Sequence, residues 1–350
     1  MQKKDRLSNF ELLRIISMLL IVMGHFFWHG EGVAIGNGEP FISVLLADWT
    51  RVYGKLGVDV FVLLSGYFLI DQAEFKYSKL LKIWGQIFFY SIVFYLIAIK
   101  SGHAVFNLKE LRMNLMPITY QGWWFASAYF FMFLVSPIIN ISLRKLTQET
   151  YQKLLVIFGI SWSVFPTVLS VKMQSNDLLW FLFLYSVAAY IRLHVKFETN
   201  NKSIVFVGIL LIVAIHFAIV IFGRRTGWWM TTQESLPIFL MALILFIVFI
   251  NIRIETNYII NYVASTTFGI YLIHDNKYVS DFWRVSIFDC QDALLMQNII
   301  WYWILVAVVV FGLSFVIDLV RKMTVEKIYF WVLDKILKRA NNENSTYFDN

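Results

Sequence analysis

Charge is scarce in this chain. Asp, Glu, Lys and Arg together supply only 15% of its 350 residues, against roughly a quarter in ordinary soluble domains. With 59% of the residues hydrophobic and 18% aromatic, no soluble fold could hide the apolar surface, so lipid must be the solvent for most of the length. Cysteine is almost missing: the single Cys290 excludes an intrachain disulfide and leaves the redox compartment open. There is no Lys/Arg run interleaved with polar loops, which argues against a nucleic-acid groove. No Gly-rich phosphate loop and no nucleophile elbow occur. The histidines lack zinc-ligand spacing, apart from the weak His25/His29 pair, so no metal is expected. The basic, apolar N-terminus mimics a signal peptide, yet "FFWHGEG" offers no small-x-small cleavage site. It reads as a retained first helix.

What the chain does have is apolar runs near the 20 or so residues that cross a bilayer. They lie near 9–29, 57–73, 83–100, 119–140, 153–170, 178–194, 203–222, 236–251, 257–274 and 297–320. The expected fold is an all-α integral membrane protein of about ten transmembrane helices. Most of the 30 Lys and Arg residues fall on one side of such a layout. The positive-inside bias therefore puts both termini in the cytoplasm. Residues 1–322 read as one membrane domain, and 323–350 as a cytoplasmic amphipathic helix, "EKIYFWVLDKILKRA", with a disordered tail. The longer outer connections are expected at 30–56 and 275–296. Most of the 13 tryptophans read as interfacial anchors.

The first run, "RIISMLLIVMGH", holds an arginine and a histidine eleven residues apart. Eleven helical steps place Arg14 and His25 on one face, separated by about 16 Å. Ionisable groups within membrane segments are costly and usually functional. An extended donor with an anionic head and a reactive tail, such as a coenzyme A thioester, has the shape to bridge the pair. Snorkelling of Arg14 and an interfacial His25 are the bland alternative.

Four separated blocks strengthen the functional reading: "FELLRIISMLLIVMGHF" (10–26), "YGKLGVDVFVLLSGYFL" (53–69), "GWWFASAYFFMFLVSPII" (122–139) and "STTFGIYLIH" (265–274). In kind and order they resemble membrane-bound acyltransferase family 3, the integral-membrane O-acyltransferases that modify surface carbohydrates. One element departs: where the family has an arginine-rich stretch, this chain reads "FKYSKLLKIW", with Lys76, Lys79 and Lys82. Lysine attracts phosphate but lacks arginine's fork. No G-D-S block of the esterase-like domain found in some members is present, so the membrane domain is expected to transfer the acyl group itself or to hand it to another protein.

The resemblance implies acyl transfer, of acetyl from acetyl-CoA, to a hydroxyl of a surface polysaccharide or its lipid-linked precursor at the cell membrane. No permanently bound cofactor is implied; acyl-CoA is a substrate. His25 would be the general base, its ordinary pKa near 6.5 suiting the task, with Asp59 orienting it or holding Lys55. An acyl-histidine intermediate stays open. Arg14, Lys79 and Lys82 would hold the donor phosphates. Ser65, Trp124 and His274 would line the tunnel or acceptor side, and Arg224 and Arg225 would face an anionic acceptor at the outer mouth. Ion pairing, close packing or solvated loops are the alternatives for each. A multi-span transporter or flippase is the rival class, disfavoured by the lack of an internal repeat.

Overall fold

The computed structural model describes residues 8–27, 40–72, 74–75, 77–171, 176–197, 200–223, 229–290, 292–332 and 335. Among these the chain is all helical, with no strand. The helices are α1 (Ser8–Gly24), α2 (Phe41–Leu69), α3 (Tyr77–Lys100), α4 (Leu108–Leu115), α5 (Trp124–Lys145), α6 (Gln148–Gly159), α7 (Phe165–Leu169) and α8 (Asp177–His194). They continue with α9 (Lys202–Gly223), α10 (Leu236–Ile250), α11 (Tyr258–Ala264), α12 (Thr267–His274), α13 (Lys277–Asp281) and α14 (Ile299–Met323).

Six of the described helices are long and apolar enough to cross a membrane: α2, α3, α5, α6 running through α7, α9 and α14. The other expected spans are helical but shorter or interrupted. α1 has 17 residues and carries Glu11 and Arg14, and α10 has 15. The run at 257–274 is broken between α11 and α12 at Ser265–Thr266.

One expected connection is corrected. Residues 41–56, read as an outer loop, form the first half of the 29-residue α2. Leu46, Val52 and Leu56 are buried there, with Trp49 and Tyr53 packed beside them; that spacing is helical. Asp48, Arg51 and Lys55 interrupt the apolar run in the sequence, but they follow each other at three and four residues and share one stripe. The connection at 275–296 also holds structure, including α13 and a π-helical turn over Phe282–Ile287.

α2 is the central element: 78% of its apolar window is buried, against 11% for α9. It packs along α1, α8 and α10, while α12 lies against α1, α3 and α14. Two glycines permit the contacts that matter for the site. A Cβ on Gly57 would stand 2.4 Å from Ser17 O, so α1 and α2 touch backbone to backbone. A Cβ on Gly269 would stand 2.0 Å from Asp318 Cγ. Asp318 is fully buried on α14 and accepts at Oδ1 from Tyr90 (2.7 Å), Arg321 (2.8 Å) and Gln86 (3.0 Å). α12 is thereby seated on a buried charged network. Residues 325–332 are helical too; Tyr329 donates to Leu81 O at 3.1 Å and Glu326 pairs with Lys82, holding this segment on the start of α3.

Candidate active site

His25 follows the last residue of α1, and its N–H still donates to Ile21 O at 3.0 Å, so the ring departs along the helical path. His274 closes α12. The two rings meet, His25 Nδ1 lying 3.0 Å from His274 Nε2. His274 Nδ1 is 2.7 Å from Ile270 O. A carbonyl oxygen only accepts, so His274 carries its hydrogen on Nδ1 and, when neutral, must accept at Nε2. His25 therefore donates from Nδ1, which puts its basic lone pair on Nε2. Asp275 Oδ1 lies 3.4 Å from the same His25 Nδ1. His274 is 1% exposed, while the side chain of His25 is 20% exposed. One histidine is anchored inside and the other reaches outward.

Two indoles fix the backbone beneath these rings. The last carbonyls of a helix lack partners within it. Trp303 Nε1 donates to Met23 O and Trp283 Nε1 to His274 O, both at 3.0 Å. These tryptophans act at the ends of the two histidine-bearing helices, a more specific place than the interfacial belt expected for most of them.

Arg14 and His25 are also linked through aromatic rings. The Arg14 guanidinium lies 6.0 Å from the Phe61 centroid. Phe61 meets Phe125 at 5.7 Å, and Phe125 meets Tyr271 at 5.1 Å. Tyr271 lies 6.0 Å from His274, which lies 5.1 Å from His25. This path takes one or two members from each of the four sequence blocks, from α1, α2, α5 and α12. Segments far apart in the chain thus converge on a single line between a fixed cation and a titratable base.

A family model described as an acyltransferase domain matches residues 7–319. The chain belongs to acyltransferase family 3. Curated proteins give no match, and neither do solved structures. The protein is thus a multi-pass membrane protein with an acyltransferase domain, all-helical among its described residues.

Within this acyltransferase domain the other expected site residues are distributed unevenly. Asp59 does not face His25. Its Oδ1 accepts from Gln233 Nε2 at 2.6 Å and from Trp180 Nε1 at 3.0 Å, in a fully buried position. Lys55 donates to Thr231 O, so Asp59 and Lys55 share a polar cluster with α8 and the segment just before α10. The carboxylate beside His25 is Asp275. Arg14 pairs with Glu11 at 2.6 Å, Lys79 donates to Gln72 Oε1 at 3.1 Å, and Lys82 pairs with Glu326. An anion bound at any of them would displace or join these partners. Ser65 donates to Phe61 O at 3.0 Å and lies 3.2 Å from the Tyr129 hydroxyl, beside the aromatic path. Trp124 is 37% exposed, so its neighbours Trp123 and Phe125 fill the inward positions instead. Lys76, His29, Arg224 and Arg225 lie outside the described residues.

Asp275, Tyr271, Trp283 and Trp303 are the site residues that sequence reasoning missed. The acid directly after His274 in "LIHDN" was the available signal for Asp275. The indoles gave no signal, because their partners are backbone carbonyls nine and 280 residues away.

Proposed function

We propose that this protein is an O-acyltransferase of the cell membrane that moves an acyl group, acetyl from acetyl-CoA, to a hydroxyl of a surface polysaccharide or its lipid-linked precursor. The observation that carries this reading is the His25–His274 contact of 3.0 Å with His274 anchored on Ile270 O. It presents His25 Nε2 as a base while Asp275 stands by to balance the imidazolium. His25 Nε2 takes the proton of the acceptor hydroxyl as its oxygen attacks the thioester carbon. The C–S bond breaks, and the leaving thiolate takes that proton back from His25. Arg14, eleven residues before His25 within α1, attracts the donor phosphates. The chain threads the membrane ten times, counting α1, α8, α10 and α11–α12 as passes supported by their neighbours. Both termini lie in the cytoplasm and His25 at the outer face.

Labelled acetyl-CoA supplied to membranes containing the protein tests this. His25→Ala should insert and accumulate normally but lose about 10²–10⁴-fold in transfer rate, the usual contribution of one positioned base. The defect should persist at every donor concentration. Near-normal incorporation by His25→Ala would overturn the reading, and acceptor movement without acetylation would favour transport.

A further inference from the structure

α14 ends at Met323, and after a turn at Thr324 the chain is helical again over residues 325–332. Little of this segment is buried. Val325, Ile328, Trp331 and Val332 are exposed, and a cavity of about 280 Å³ lies between it and α3, walled by Trp84, Phe88 and Phe330. Polar ties hold it instead. Glu326 pairs through Oε1 with Lys82 and through Oε2 with Arg321 Nη1 at 2.9 Å. Tyr329 donates to the carbonyl of Leu81, the residue before Lys82, at 3.1 Å. The ties therefore gather at one point near the start of α3, which the proposed topology puts on the cytoplasmic side.

The two cations on Glu326 differ in what else holds them. Arg321 is buried and also reaches Asp318 Oδ1 at 2.8 Å, so it belongs to the network beneath α12. The side chain of Lys82 is 44% exposed, and its two contacts, Glu326 and the Phe330 ring at 5.9 Å, both come from the segment 325–332. The same lysine lies in "FKYSKLLKIW", the basic stretch at the start of α3. A cation within reach of an incoming anion is thus already covered by a carboxylate of the chain's own tail.

Resting on the acyl-transfer reading above, we infer that residues 325–332 are an autoinhibitory latch on the donor site: Glu326 holds Lys82, and a phosphate of acyl-CoA must replace it there. Carboxylate and phosphate compete for one ammonium, so the donor's apparent affinity falls by the fraction of protein with the latch open. Once phosphate has Lys82, only Arg321 and Leu81 O still tie the segment down. At low donor concentration the latch stays closed, and the rate then follows the supply of acyl-CoA.

With labelled acetyl-CoA in membranes, Glu326→Gln should lower the KM for acetyl-CoA by about two- to five-fold, the worth of one half-exposed ion pair. Both kcat and the acceptor KM should hold. Tyr329→Phe, which loses the tie to Leu81 O without changing charge, should move the donor KM the same way. Lys82→Ala should raise it, and adding Glu326→Gln to Lys82→Ala should change nothing more. A second readout needs no turnover. Ile328→Cys takes a nitroxide label selectively, because the native Cys290 is buried, and coenzyme A alone should loosen that label. A donor KM that is unchanged or raised in Glu326→Gln overturns the latch, whether or not the thermal midpoint falls, and so does a label that ignores coenzyme A. The label test is repeated on His25→Ala, which should lose transfer yet still release the latch. Transfer retained by His25→Ala overturns the acyl-transfer reading, whereas a label unmoved in an otherwise active protein overturns only the latch.

Discussion

A single carbonyl decides which nitrogen of His25 is basic. Ile270 O holds the hydrogen of His274 on Nδ1, and the His274 Nε2 lone pair then holds the hydrogen of His25 on its own Nδ1. The arrangement resembles the logic of a triad, in which a second group fixes the tautomer and orientation of the base. His274 is thus a positioning residue. His274→Ala removes the acceptor and should lower kcat with little effect on either KM. His274→Gln keeps an amide oxygen that can accept from His25 and should recover part of the rate. Steady-state kinetics of both variants at equal protein level checks this. Equal activity of the alanine and glutamine variants would show that the Nδ1 acceptor contributes nothing. His274 was expected only to line the tunnel or acceptor side, and the structure brings it into contact with His25. Asp59 was the acid that the sequence favoured, because it sits in a motif. Its partners, Trp180 and Gln233, lie 121 and 174 residues further along, beyond the reach of any local spacing argument.

Among the elements, α12 depends on a single missing side chain. Gly269 lets the Asp318 carboxylate approach the helix backbone, where Gln86, Tyr90 and Arg321 gather on the same oxygen. A methyl group at 269 cannot fit without moving either α12 or Asp318. Overpacking of this kind typically costs about 1–3 kcal/mol. Gly269→Ala should therefore lower the thermal midpoint of the purified protein, and pairing it with Asp318→Ala should restore part of the loss. If Gly269→Ala melts like the parent protein, the close seating of α12 is not a constraint. The apolar runs were plain in the sequence, because lipid-facing helices must be apolar almost throughout. The first half of α2 was not, since it is held by residues distant in sequence: Lys55 donates to Thr231 O, and Trp49 meets Trp303 at 4.8 Å. The break between α11 and α12 was also hidden, since "STT" interrupts the hydrogen-bond ladder without interrupting the helical periodicity.

At the scale of the whole molecule, the proposed acyl transfer uses both sides of the membrane. Arg14, within α1, and His25, just past its C-terminal end, lie about 16 Å apart along the helix axis, and the ring path from Phe61 to Tyr271 joins them. In the proposed topology Arg14 lies toward the cytoplasm, the side of the proposed coenzyme A thioester, and His25 toward the outer face, the side of the proposed glycan acceptor. The most direct measurement uses sealed inside-out vesicles that carry the protein and its glycan acceptor, with labelled acetyl-CoA added only to the medium. Acetylated glycan is expected inside the lumen, inaccessible to an added esterase until the vesicles are opened, and none is expected with His25→Ala. Acetylated glycan formed on the medium side, or formed equally by the His25→Ala protein, would contradict the proposed transfer.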